Sequence, residues 1–116
     1  LIDKNRELID TNSLELVEVR KQGVIHLSLE NVEMSLRMYV RGAILSKNSW
    51  VDLLGQGKAY VKLMMADLAL ERFDDVLEKQ PDNKEAWSGR YQALALLDRW
   101  NELPSKADLT GFWWRR

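Results

Sequence analysis

The apolar positions of this chain recur at three and four residues rather than at two, a spacing that predicts helices throughout and no strands. Leu14, Val17, Val24, Leu27 and Leu29 trace a helix over residues 14–29, with Thr11, Asn12 and Ser13 placed to cap its first backbone N–H groups. Ahead of it, Leu1, Ile2, Leu8 and Ile9 alternate with Asp3, Lys4, Arg6 and Glu7, which predicts a separate short helix. Met34, Leu36, Met38, Val40 and Ile44 predict a further helix ending near Ser46, with Asn31 as its cap and Lys47, Asn48 and Ser49 as the turn after it. Residues 50–64 and 67–79 give the next two; Pro81 stops the latter, and Asp82 and Asn83 cap a helix over 84–97 carried by Trp87, Tyr91, Leu94 and Leu97. Past Asp98 the pattern degrades. Trp100 and Leu103 begin a return helix that Pro104 cuts short, residues 105–109 allow one more turn, and Gly111 opens the tail Phe112, Trp113, Trp114, Arg115, Arg116.

These helices come in pairs, and the pairs repeat. A shift of 34 residues lays Gly23 on Gly57, Leu29 on Leu63 and Leu97, Ser35 on Ala69, and Tyr39 on Phe73. Two amphipathic helices alone bury too little surface, so a repeat of this length predicts stacked pairs sharing a continuous core. Gly55 and Gly57 fall inside a helix, where each costs about 1 kcal/mol against alanine. Close helix approach is the offsetting gain, with Gly57 set against a small Ala69 on the partner helix.

The unit at 50–83 resembles a tetratricopeptide repeat. Leu53, Gly57, Tyr60, Ala69, Phe73 and Pro81 stand at that family's signature positions, with Gln56 for a usual leucine and Val76 for a usual alanine. The unit at about 16–49 keeps Gly23, Ser35 and Tyr39 but has His26 for the aromatic and Lys47 for the proline. The unit at about 84–103 opens with Trp87 and Leu94, then has Tyr91 in the glycine place and Leu103 in the small-residue place. The resemblance implies an all-α fold, a right-handed superhelix of stacked antiparallel helix pairs. It would be one domain over 1–116, about three repeats with the last incomplete, and residues 104–116 as a C-terminal extension. It also implies a concave groove, lined by the first helix of each pair, that holds a peptide or amphipathic helix of a partner protein. Carried onto this sequence, the groove positions are Val17, Arg20, Val24, Leu27 and Ser28, then Val51, Leu54, Lys58, Val61 and Lys62, then Glu85, Ser88, Gln92, Ala95 and Leu96, with Arg20, Val24, Leu27, Val51, Leu54, Lys58, Val61, Lys62, Ser88 and Gln92 as the partner-binding set. An apolar floor of Val51, Leu54 and Val61 beside the cations Arg20, Lys58 and Lys62 would complement an amphipathic helix with a few acidic residues. The family's grip on acidic heat-shock chaperone tails is not reproduced. Leu54 stands where its first lysine would be, and Gly55 and Gly89 where asparagine or arginine would be, so such a tail is disfavoured as a partner.

Charge and composition narrow the role further. With 17 basic and 18 acidic residues interleaved, the net charge of −1 sets up no broad field toward nucleic acid or anionic lipid, and single-stranded RNA binding runs against that balance. No cysteine is present, which removes disulfides, thiolate metal sites and cysteine nucleophiles and leaves the redox compartment open. The one histidine, His26, is read as a packed or capped ring rather than a ligand. No apolar run approaches the roughly 18 residues of a membrane span, and no secretory leader opens the chain. Leu1 in place of a methionine suggests an excised piece of a longer parent, so the compartment stays open, with a lean toward the cytoplasm.

No nucleophile sits with a base and no metal spacing occurs. Gly55, Gln56, Gly57 and Lys58 superficially match a phosphate loop but lie inside a helix pattern, so no catalysis, cofactor or metal is expected. Glu71, Asp74, Asp75 and Glu78 read as a solvated helix face, and Met34, Met38, Met64 and Met65 as core filling. Lys58 and Lys62, one turn apart, can both reach a single carboxylate. Trp113 and Trp114 beside Arg115 and Arg116 are read as folding back over the open end of the stack. The leading role is therefore a module that recruits a protein partner; the alternative is a scaffold self-associating through Phe112, Trp113 and Trp114.

Overall fold

The computed structural model describes residues 2–98, with side chains from residue 14 onward. Among the described residues there are five helices and no strand: α1 (Ile2–Ser28), α2 (Val32–Ser46), α3 (Trp50–Lys62), α4 (Ala66–Lys79) and α5 (Lys84–Leu96). Each helix packs on the next in chain order, and α3 also touches α1 and α5. The readings made for Trp100, Leu103 and Pro104, and for the tail from Gly111, lie outside the described residues.

The break expected at Thr11, Asn12 and Ser13 does not occur, because α1 runs through those positions as one helix of 27 residues. Each of these residue types is only about 0.5–0.7 kcal/mol worse than alanine inside a helix, and no glycine or proline interrupts the stretch. Asn31 precedes α2 without capping it; its amide lies 3.4 Å from Nδ1 of His26 instead. The caps of α3 and α5 do form: the Ser49 hydroxyl accepts from the Val51 N–H, and the Asn83 side chain accepts from the Ala86 N–H at 2.9 Å.

The 34-residue repeat is written into the backbone. Glu30, Met64 and Asp98 all adopt left-handed conformations, with φ of 64°, 61° and 58°. Each directly follows one of the leucines Leu29, Leu63 and Leu97. At the first two turns the next amide reaches back to close the helix, Asn31 N–H to His26 C=O at 2.8 Å and Met65 N–H to Tyr60 C=O at 2.9 Å. Both turns thus satisfy terminal carbonyls that would otherwise lack donors.

Packing repeats in the same register. The Tyr39 ring of α2 is wedged between Gly23 of α1 and Gly55 of α3, and the Phe73 ring of α4 between Gly57 of α3 and Gly89 of α5. A Cβ built on any of these four glycines would lie under 3.0 Å from the ring it faces. The space over Gly57 is therefore filled by Phe73, not by Ala69 as the spacing suggests, although Ala69 is itself fully buried. Ser35, its counterpart one repeat earlier, is equally buried and donates its hydroxyl to the Gly23 carbonyl at 2.7 Å. Around Phe73 the core collects Leu53, Leu54, Leu70, Val76 and Leu94. Three of the four methionines read as core filling do not join it: Met64 is 71% exposed, and Met34 and Met65 also face solvent, while Met38 is half-buried.

Candidate functional site

Two adjoining dents open across α1, α3 and α5. The first, about 220 Å³, lies between α1 and α3 and is lined by Val24, Leu27, Ser28, Tyr39, Val51, Leu54, Gly55 and Lys58. The second, about 300 Å³, lies between α3 and α5 and is lined by Leu27, Lys58, Val61, Lys62, Phe73, Glu85, Ser88, Gly89 and Gln92. They share Leu27 and Lys58. Adding 34 to each residue of the first lining gives a residue of the second, so the two are one site built twice by the repeat. The cause is the packing just described: each dent has at its floor the buried ring of a second helix, Tyr39 or Phe73, beside the glycine on which it rests.

Most of the groove positions carried over from the sequence line one or both dents, but Val17, Arg20, Ala95 and Leu96 line neither. Val24 is 56% exposed, Val51 and Val61 are half-buried, and Leu54 is buried at the floor. The two lysines do not share a carboxylate. Lys58 pairs with Glu85, and Lys62 lies 3.5 Å from Glu30. Both pairs are exposed, and a solvated ion pair of this kind contributes little and is readily exchanged for another partner.

Arg20 is directed elsewhere. Its guanidinium donates from Nε at 3.0 Å and from Nη2 at 2.7 Å to the two carboxylate oxygens of Asp52, which is 0% exposed in the first turn of α3. Ser46 donates to the same carboxylate at 2.7 Å, so α1, α2 and α3 are tied at one point. Gly42 makes room for it, since a Cβ there would collide with Oδ1 of Asp52. Hydrogen bonding to that carboxylate raises the Arg20 pKa above its ordinary value. Burial raises that of the neighbouring Tyr39 phenol, with the Asp52 charge acting in the same direction. Sequence spacing gives no sign of this pair, because its members stand 32 residues apart and each reads as an ordinary exposed charge.

A larger dent, about 550 Å³, lies at the turn from α1 to α2 around His26, Glu30, Glu33 and Arg37. Its charges are mixed, and no group of side chains suited to a metal occurs among the described residues. Nor is any described helix long and apolar enough to cross a membrane. The acidic face of α4 is solvated as its pattern suggests, with Asp74 bound to Arg90 and Asp75 to Arg72. No protein-family model matches the chain, and no curated protein matches it.

Proposed function

We propose that this chain is a non-enzymatic protein-interaction module of tetratricopeptide-like repeats, at about 16–49, 50–83 and 84–103, stacked as a right-handed superhelix. A segment of a partner protein lies across α1, α3 and α5 and seats side chains in the two dents. The observation that carries this reading is the duplication of the dent itself: a site repeated in the packing register suits a linear ligand that crosses successive repeats. Panning a library of displayed random peptides on the full chain would supply ligands. Lys58→Glu with Lys62→Glu should then weaken the selected peptides by about tenfold while far-ultraviolet circular dichroism stays unchanged. Unaltered affinity rejects the groove.

A second reading has its own support. Met64, Met65 and Leu96, all exposed, surround a dent of about 350 Å³ between the start of α4 and the end of α5, a half-apolar surface, with Asp67 in its lining, on which copies of the chain would associate as a scaffold. Light scattering over a wide concentration range separates the two, since a constant monomer mass counts against the scaffold.

A further inference from the structure

The two dents have the same architecture and different chemistry. One repeat step replaces Val51 by Glu85, Leu54 by Ser88 and Ser28 by Lys62, while the ring-on-glycine floor is kept. The first dent is thereby walled by aliphatic side chains, with Lys58 as its one charged lining residue. The second has two ammonium groups, a hydroxyl and a carboxamide against one carboxylate, a lining of formal charge +1.

We infer that the groove reads a peptide by two unlike side chains, an aliphatic one in the α1–α3 dent and a carboxylate in the α3–α5 dent. This inference rests on the groove reading above and adds to it the chemistry of the partner. An aliphatic side chain gains from burial against Val24, Val51 and Leu54, whereas a carboxylate there would lose its hydration with Lys58 as its one cationic partner and the Ser28 hydroxyl already donated to the Val24 carbonyl. In the second dent the order reverses. An entering carboxylate meets Lys62, Ser88 and Gln92, and it takes over Lys58 from Glu85, whose side chain is 64% exposed and returns to water at little cost. Successive first helices in contact lie roughly 8–10 Å apart, and a peptide in the polyproline II conformation, with three residues per turn at about 3.1 Å each, brings side chains three positions apart onto one face across that distance. The recognised pattern is therefore an aliphatic residue and an aspartate or glutamate three positions apart.

Panning a displayed random-peptide library on the intact chain tests this. The expected selection is an aliphatic residue and an acid at that spacing, and replacing the acid by alanine should cost a selected peptide about 5–10-fold in affinity. The same replacement should cost little against Lys62→Ser. Rebuilding the second dent on the first, with Lys62→Ser, Glu85→Val and Ser88→Leu together, should shift the selection to two aliphatic residues. Selected peptides with no acid preference, or a preference indifferent to Lys62→Ser and to the rebuilt dent, overturn the two-chemistry assignment. That failure is separate from failure of the groove itself, which would appear as selected peptides whose binding survives Val24→Asp on the exposed rim, or as no selection at all.

Discussion

Gly89→Leu should lower the stability of the chain by about 3 kcal/mol, even though leucine is the better helix former by about 0.8 kcal/mol. The sign is set by what lies over the glycine. Phe73 is 1% exposed and already rests on Gly57 from its other side, so a side chain arriving from α5 finds a ring with nowhere to move. Either the ring leaves its rotamer or α5 lifts off α4, and in both cases the core around Leu94 and Val76 opens. Urea unfolding followed by circular dichroism measures the loss, and adding Phe73→Ala to Gly89→Leu should return part of it, since the new side chain then occupies vacated volume. An unchanged midpoint for Gly89→Leu would remove the ring-on-glycine joint from the account.

The second large effect is expected at the point where the first three helices are tied. Arg20→Met should cost about 3–5 kcal/mol, because it leaves the Asp52 carboxylate without its cation in a site closed to water, with only Ser46 still donating to it. Adding Asp52→Asn should recover more than half of that loss, as the uncompensated charge disappears while an acceptor for Ser46 remains. Chemical denaturation of the two single variants and the double variant completes the cycle. If Arg20→Met alone is neutral, the pair is a surface contact and does not tie the helices together.

How much of this the sequence discloses depends on the range of the interaction. Helix identity, the 34-residue repeat and the special place of Gly23 and Gly57 follow from local period and side-chain size, while the groove positions come only with the resemblance to tetratricopeptide repeats. Interactions between distant elements leave no such trace. The tie between Arg20 and Asp52 joins two residues that each look solvated, and the exposure of Met64 depends on a left-handed turn that apolar content cannot disclose. The start of α1 is illegible for a different reason. Thr11, Asn12 and Ser13 favour a cap only modestly, and a continuous helix costs little more than a broken one.

Gly55 and Gly89 show an intermediate case. Read singly, each is a weak spot in a helix; read as a pair in the repeat register, with Tyr39 and Phe73 one second helix earlier, they mark the joint between successive helix pairs and the floor of each dent. The same residues thus fix the packing and shape the two dents.

The most direct measurement is a methyl-resolved nuclear magnetic resonance titration of the chain with a peptide selected from the library. Val24, Val51 and Val61 line the dents, whereas Val40, 40% exposed on α2, serves as a valine that lines neither. Progressive shifts at the first three with Val40 unmoved are predicted. Shifts centred on Val40 and Ile44, with the three groove valines silent, would contradict the account.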